Sequence, residues 1–278
     1  MNLAIPLPGS LGLVISEGPP KEHAYATRQL QQGFRLVDHG QDLSEEAVGF
    51  GLPVVKRKLH TVFPGTVALT SQQMGTVWRV EANFTFNLEE RLSRGLSPSL
   101  RSGPLYVAKD FLAAVIRRSH LLGSLLTATS SWLRSSLGLR TVYEEAGFRA
   151  GLNVHYAIDS ATGVVQVSLD ASPLAGQGVT EVILLNEQGG YFFDVYWDST
   201  ARNLCGAAIG AWDRVAASEA SMVSSTRKVV FTVSGGNGAR LYRGREVVGS
   251  RLAWSGFGYS FGPILGAFEY AIRIARTP

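Results

Sequence analysis

Residues 180–199, TEVILLNEQGGYFFDVYWDS, decide the fold predicted for this chain. Residues 182–185 form a short, continuous apolar run, which is typical of a strand buried on both faces. After a Gly-Gly turn the sequence alternates with period two, with one side formed by Tyr191, Phe193, Val195 and Trp197 and the other by Phe192, Asp194, Tyr196 and Asp198. We therefore predict two strands joined by a glycine-rich turn, with one face packed on a core and the other carrying acids among aromatic rings.

The same alternation recurs elsewhere in the chain. Residues 76–87 alternate over their whole length, and residues 148–159 continue through the turn DSATG into an apolar segment at 164–170. Because successive side chains of a strand point to opposite faces of a sheet, these patterns predict one long strand and one hairpin.

Residues 108–137 break this pattern, because their apolar residues recur at steps of three and four, which predicts a helix or a helical pair. Strands separated by turns, with one helical insertion, favour an all-β, mainly antiparallel fold: a large β-sandwich or super-sandwich. A β-barrel is the alternative, since the pattern does not show whether the sheet edges close. We interpret residues 1–278 as one large domain, with a possible subdivision near residues 93–140.

The composition narrows the classes of partner. The chain has 45% hydrophobic and 17% charged residues, which is far from the composition of a disordered protein. The net charge of +4 arises from 26 basic and 22 acidic residues without one dominant basic cluster, so we expect no nucleic-acid partner. The oligomeric state is left open.

The sequence also bears on compartment and cofactors. Cys205 is the single cysteine, which excludes an intrachain disulfide and a cysteine-based zinc site, and we expect a cytoplasmic protein. The first 16 residues lack a basic start and are interrupted by Pro6 and Pro8, so we expect neither a signal peptide nor a membrane span. No phosphate-binding loop, nucleophile elbow or zinc-protease motif is present, and we predict no cofactor and no metal.

The first candidate site is the acid-aromatic surface of residues 180–199. Aromatic rings can stack on the apolar faces of sugar rings, while carboxylates and amides bind their hydroxyls. We predict that Glu187, Tyr196 and Asp198 bind a ligand and that Asp194 is catalytic. The alternative is ordinary polarity, since turns and outward strand faces carry polar residues without any function.

The second candidate lies in residues 241–260, LYRGREVVGSRLAWSGFGYS. An arginine beside a tryptophan can hold an anionic group while the indole ring stacks on an apolar surface. We predict Arg243 and Trp254 as ligand-binding residues and Glu246 as a catalytic residue. The alternative is an internal ion pair.

The third candidate is the polar face of the strand at 148–159. It carries Asn153, predicted to bind ligand, and His155, predicted to act as a general base. If this strand adjoins Asp194 in one sheet, the three candidates form a single groove with a base, acids and a cation. The groove requires His155 to lie within about 10 Å, or two strand spacings, of Asp194 and Arg243.

A further cluster is interpreted as a solvated acidic loop, because its spacing matches no metal or catalytic motif; it comprises Asp38, His39, Asp42, Glu45, Glu46 and His60. Two functions therefore remain open. The first is a protein that binds or modifies carbohydrate on a polar-aromatic sheet face. The second is a non-enzymatic structural or assembly module that binds another protein.

Overall fold

The computed structural model describes residues 2–19, 33–57, 60–94, 140–205, 212–248 and 251–277. The helix predicted at 108–137 lies outside these residues. The strands run in chain order as β1 Asn2–Leu7, β2 Leu11–Ser16, β3 Arg35–Asp38, β4 Gln41–Asp42, β5 Gly49–Arg57, β6 His60–Val62, β7 Pro64–Met74, β8 Val77–Arg94, β9 Arg140–Asp159, β10 Val164–Asp170, β11 Val179–Gly189, β12 Val195–Asp198, β13 Arg202–Leu204, β14 Trp212–Arg214, β15 Glu219–Ser224, β16 Val229–Gly235, β17 Arg240–Val248, β18 Arg251–Phe261 and β19 Ala267–Arg276. Single 3-10 turns occur at Pro8–Ser10, Ser172–Leu174 and Pro263–Leu265.

These strands form three sheets. The large sheet has the order β13-β12-β15-β16-β19-β10-β9-β8-β7, the six-stranded sheet β14-β17-β18-β11-β5-β6, and the small sheet β1-β2-β3-β4. Every strand pair whose register is described is antiparallel, for example β10 with β19 and β11 with β18. Within the described residues each sheet has two edges, so the barrel alternative is not adopted and the predicted antiparallel β-sandwich is confirmed.

The large and six-stranded sheets pack face to face through aromatic rings. Phe231 of the large sheet contacts Phe50 and Phe257 of the six-stranded sheet, with ring centroids 4.9 and 5.9 Å apart. Tyr259 and Tyr270 meet across the same interface at 4.7 Å. Because these residues alternate along their strands with outward positions, they define which face of each sheet is internal.

The predicted pair of strands at 180–199 is a crossover between layers and not a hairpin. β11 belongs to the six-stranded sheet and β12 to the large sheet. The chain turns where the amides of Phe192 and Phe193 both donate to the Gly189 carbonyl, and both rings are buried. At Gly190 a Cβ atom would lie 2.5 Å from Leu252 Cγ, so the turn is pressed against β18. The prediction that these two strands pair around the turn and share a single polar face was therefore wrong.

The polar residues that follow the apolar run of β11 are buried. The Asn186 amide oxygen accepts hydrogen bonds from the Gly51 amide at 3.0 Å and the Tyr270 hydroxyl at 2.7 Å. Gln188 accepts from the Leu36 amide at 3.4 Å and donates to the Phe34 carbonyl. Two side chains on one face of β11 thus bind both the large sheet and the chain around the small sheet.

The small sheet is also held by Arg276 at the end of β19. Its guanidinium pairs with the buried carboxylate of Asp38 and donates to the carbonyls of Gly9 and Arg227. Although burial raises it, the hydrogen bonds and charge of Arg276 and His39 hold the pKa of Asp38 below its ordinary value. Asp38 is therefore not part of a solvated loop. The same holds for Glu46, which is buried and paired with Arg251.

The chain divides into two compact units, one formed by Met1–Asn87 with Phe148–Pro278 and the other by Leu88–Gly147. The sites described below lie in the first unit. The predicted single domain with a subdivision near residues 93–140 stays a prediction. Along the described stretches, no helix is both long enough and apolar enough to cross a membrane.

Replacing Asn186 should destabilise the sandwich. Asn186→Ala leaves the Gly51 amide and the Tyr270 hydroxyl without this partner, and we expect a loss of about 3 kcal/mol in the free energy of unfolding. Tyr270→Phe removes one of the two bonds and should cost about 1 kcal/mol. Urea unfolding monitored by circular dichroism measures both. Asn203→Ala on the edge strand β13 is the control, and an equal loss there would contradict a special role for the buried amide.

The Arg276–Asp38 pair predicts a dependence of stability on pH. Since the pKa of Asp38 is depressed in the folded state, its contribution is present above the ordinary value of 3.8 and is lost as the pH falls through the lower folded pKa. Arg276→Met should cost about 3 kcal/mol at neutral pH and move the onset of acid unfolding to higher pH. Arg273→Met, an exposed arginine on the same strand, is the control for thermal melts between pH 2 and 7. Identical acid profiles for both variants would refute the role of the pair.

Candidate functional site

The outer face of the six-stranded sheet carries two tryptophans above a row of glycines. Phe257 and Tyr259 of β18 point into the sandwich, so Trp254 and Gly258 point outward. Trp212 of the edge strand β14 pairs with Gly244 of β17, which pairs in turn with Gly256 of β18. We name Trp212, Trp254 and Glu246 the tryptophan platform.

Contacts with a neighbouring ring, a carboxylate and the sheet backbone fix the geometry of the tryptophan platform. The rings of Trp212 and Trp254 lie 5.4 Å apart at 37°, and the Trp254 indole N–H donates to the Glu246 carboxylate at 2.8 Å. A Cβ atom at Gly258 would lie 3.2 Å from Trp212 Cζ3, so this glycine lets the ring lie on the sheet. Trp254 is 4% exposed, whereas Trp212 is 41% exposed. The platform therefore offers solvent one supported aromatic ring and one oriented carboxylate.

Three other predicted residues come together on the inner side of the same sheet end. The Arg243 guanidinium carbon lies 4.3 Å from the ring centroid of Tyr196, whose hydroxyl donates to Asp198. Tyr196 is buried, so its ring stacks on Arg243 and is not open to a ligand. This cluster joins β17 of one sheet to β12 of the other and acts as an internal support.

Asp198 is also occupied by the turn that follows it. Its carboxylate accepts hydrogen bonds at 2.7 Å from the Thr200 amide, the Thr200 hydroxyl and the Ala201 amide. Partial burial raises the pKa of Asp198, but the hydrogen bonds from Tyr196, Thr200 and Ala201 outweigh this effect and lower it to about 2. Such a group is a poor proton acceptor near neutral pH.

Asp194 and Glu187 also serve internal contacts. Asp194 accepts hydrogen bonds from the amide of Ser225 at 3.0 Å and from its hydroxyl at 2.6 Å, which anchors the β15–β16 turn. Glu187 is fully buried and accepts from the Val48 amide at 3.4 Å. Their predicted roles toward a ligand are untested, but the structure gives each side chain a structural partner.

Asn153 and His155 lie on the outer face of the large sheet. Both are exposed on β9, where His155 borders two depressions of about 530 and 340 Å³ and Asn153 borders the smaller one. Asn153 accepts a hydrogen bond from the side-chain amide of Asn83 on β8. We name these depressions together the polar trough.

The structure does not assemble the single predicted groove. Asp194 directly precedes β12, and the order of the large sheet places β15, β16, β19 and β10 between β12 and β9. His155 and Asp194 are thus five strand spacings apart, roughly 24 Å. Glu246 and Trp254 face outward from the other sheet. Seven of the nine predicted residues fall into the tryptophan platform, the internal cluster of Tyr196, Asp198 and Arg243, and the polar trough, while Glu187 and Asp194 bind Val48 and Ser225 elsewhere.

Trp212 was not among the residues predicted for a site. It stands at the end of an apparently ordinary apolar segment, and only the pairing with the glycine-rich strands β17 and β18 places its ring beside Trp254. The clustering of glycines at 244, 256 and 258 was the available signal, because a strand face without side chains accommodates a large ring from a neighbour.

Cysteine chemistry is disfavoured at this end of the sandwich. Cys205 is fully buried, and its sulfur lies 3.7 Å from that of Met222. Burial raises the pKa of the Cys205 thiol to about 12, so the reactive thiolate is scarce near neutral pH. Among the described side chains, no group of three or more His, Cys, Asp or Glu residues is arranged to hold a metal ion.

The fold and these faces define a β-sandwich, and comparison with known proteins agrees on the architecture. No protein-family model matches the sequence, and a search of curated proteins finds no significant match. Among solved structures, the chain is similar to the α-N-acetylgalactosaminidase NagBb from Bifidobacterium bifidum. The complex with Gal-NHAc-DNJ has a TM-score of 0.53 at 11% identity, and the ligand-free form 0.51 at 10%. Each match covers 99% of this chain and 36% of NagBb, so the chain spans about a third of that enzyme. At this identity the likeness concerns the fold.

The glycine floor of the tryptophan platform can be tested directly. Gly258→Val should lift the Trp212 ring from the sheet, because even a single Cβ would be closer than ordinary van der Waals contact. We expect altered tryptophan fluorescence and an increase in acrylamide quenching, as Trp212 becomes more exposed. Gly262→Val, at an exposed position with φ −79° where an added Cβ would lie 3.9 Å from the Thr180 carbonyl, controls for the general effect of replacing a glycine. Unchanged quenching in Gly258→Val would contradict the described stacking.

Proposed function

We propose that this protein binds carbohydrate through the tryptophan platform. The observation that carries the proposal is the half-exposed Trp212 ring, which lies over Gly258 and packs against Trp254, the residue whose indole N–H binds the Glu246 carboxylate. An indole ring buries the apolar C–H face of a sugar, and an adjacent carboxylate accepts hydrogen bonds from its hydroxyls.

The fixed geometry supports binding without a large ordering cost. Trp254 supports the Trp212 ring, and its N–H orients the Glu246 carboxylate before a ligand arrives. A preorganised site loses less conformational entropy on binding than a mobile one. The second oxygen of Glu246 is the group that we assign to a sugar hydroxyl.

Binding is favoured over glycoside hydrolysis. Glycosidases generally place two carboxyl groups on either side of the scissile bond, about 5 to 10 Å apart. Among the described residues, the tryptophan platform contributes Glu246 as its carboxylate, while Asp194 and Asp198 are held by internal hydrogen bonds. We therefore assign the platform a recognition role.

The structural neighbour suggests the first ligands to test. NagBb is an α-N-acetylgalactosaminidase, and one of its structures holds Gal-NHAc-DNJ. Its shared fold supports a carbohydrate-related role for this chain, although fold alone does not determine function. Glycans that contain N-acetylgalactosamine are accordingly placed first in the panel.

Replacing Trp212 should weaken glycan binding. Trp212→Ala removes the stacking surface, and we expect about a tenfold increase in Kd, or about 1.4 kcal/mol. Glu246→Gln should weaken binding less, because the amide oxygen still accepts from the Trp254 N–H while the NH2 group can donate to the oxygen of a sugar hydroxyl. Isothermal titration with the glycans selected from an array measures both effects.

The matched control is Trp197→Ala. Trp197 is 55% exposed on β12 of the large sheet, so its replacement removes an equally accessible indole from another face. Wild-type affinity in Trp212→Ala, or an equal loss in Trp197→Ala, would refute the platform. Absence of binding to every glycan of the panel would refute the proposed function itself.

A further inference from the structure

We infer that the polar trough on the large sheet is a second glycan-binding site, independent of the tryptophan platform. The two sites lie on opposite outer faces of the sandwich, because the inner faces of both sheets meet through Phe231, Phe257, Tyr259 and Tyr270. The inference therefore goes beyond the platform, and either site can bind when the other is removed.

The trough is built by the outward residues of four neighbouring strands. On β7 and β8, Thr70 pairs with Glu81 and Gln72 pairs with Arg79. On β9 and β10, His155 pairs with Ser168, and Gln166 pairs with Ala157. Alternation brings these side chains to one face, opposite the buried core residues.

Two small residues on the outward face of β9, one on each side of the pair Asn153 and His155, leave room for the depressions. Ala157 borders the larger depression of about 530 Å³, and Gly151 borders the smaller one of about 340 Å³. His155 borders both and forms the ridge between them. At Gly151 the nearest neighbour of an added Cβ would be Asn83 at 3.9 Å, so the space beside the ridge is open.

The chemistry of the lining selects the class of ligand. Arg79 and Glu81 have opposite charges two residues apart on one strand, and the carboxylate of Asp170 at the smaller depression accepts hydrogen bonds from the amide and hydroxyl of Ser172. The trough therefore has a small net charge and attracts neither polyanions nor polycations strongly. The remaining polar outward groups are hydroxyls, amides and an imidazole, which can both donate and accept hydrogen bonds. A neutral polyhydroxylated chain fits this pattern, whereas the outward lining residues offer an apolar ligand little more than the side chains of Ala157 and Pro173.

The width of the trough favours an oligosaccharide over a single sugar. β7 to β10 span three strand spacings, about 14 Å, and the smaller depression extends along β9 toward Asn153. A chain lying across the strands would pass Gln72, Arg79 and Gln166 on one side of the ridge. Each planar amide or guanidinium can form paired hydrogen bonds with adjacent hydroxyls.

Two sites on opposite faces give the protein a further activity. A single molecule can bind two polysaccharide chains at once, so a long glycan with repeated epitopes would be cross-linked. A monovalent binder would coat such a glycan without joining chains. Light scattering of a soluble polysaccharide mixture therefore distinguishes one site from two.

The experiment combines two sets of variants with a panel of neutral mono- and oligosaccharides, including N-acetylgalactosamine. The trough variant is Glu81→Gln/His155→Ala, and the platform variant is Trp212→Ala. The matched control, Glu219→Gln/Arg273→Ala, makes the same type of change at exposed positions of the large sheet outside the trough. Thermal melts verify that all variants fold.

We expect titration to show two classes of site in the wild type, with the trough variant about tenfold weaker for oligosaccharides at one class only. Trp212→Ala should retain the trough class, the combined variant should lose both, and cross-linking should require both. A wild-type titration with one class that Trp212→Ala abolishes would overturn the second site and leave the proposed function intact. If glycan binding is lost in the trough variant but unchanged in Trp212→Ala, the platform is refuted as a binding site and the trough remains one. If the trough variant and its control have the same affinity for oligosaccharides, this inference is overturned.

Discussion

The sandwich depends on the buried amide of Asn186. Its oxygen bonds the Gly51 amide of the adjacent strand and the Tyr270 hydroxyl of the opposite sheet, so one side chain fixes both register and layer spacing. A buried polar group must find partners or destabilise the fold, and this requirement permits fewer arrangements of the sheets than apolar contacts do. The aromatic rings around it fill the interface, but they would tolerate sliding more readily than the paired hydrogen bonds.

The choice of side chains that point into the sandwich also determines which side chains point outward. Since a strand has period two, each residue committed to the core assigns its neighbours to solvent or to a covering layer. On β18 this places Phe257 inward and the glycines outward, which prepares a floor for Trp212. On β9 it places Tyr156 inward, where its hydroxyl bonds the Gly51 carbonyl at 2.8 Å, and leaves His155 outward. Both proposed sites follow from the same packing constraint.

The fold class could be predicted because strand periodicity is a local property. The alternation at residues 76–87 and the turn DSATG appear directly in β8 and in the β9–β10 hairpin. Layer membership could not be predicted. Residues 180–199 show the same alternation whether their two strands pair in one sheet or belong to different sheets. In the structure they belong to different sheets, and the turn between them packs tightly at Gly190 against Leu252. The residues of the candidate site could not be predicted for the same reason. The pairing of Trp212 with β17 and the distance between His155 and Asp194 both depend on strand order.

The position of β19 has a consequence for how the chain folds. This strand lies in the middle of the large sheet, between β16 and β10, although it follows every other strand of that sheet in the sequence. Before it is in place, the group β13, β12, β15, β16 and the group β10, β9, β8, β7 are two separate sheets with unpaired edges. The insertion of β19 joins them and carries Arg276 to Gly9 and Asp38, far away in sequence. Such long-range closure is slow, and open edges invite pairing with other chains, so the interval before β19 inserts is when the nascent protein is most vulnerable to aggregation.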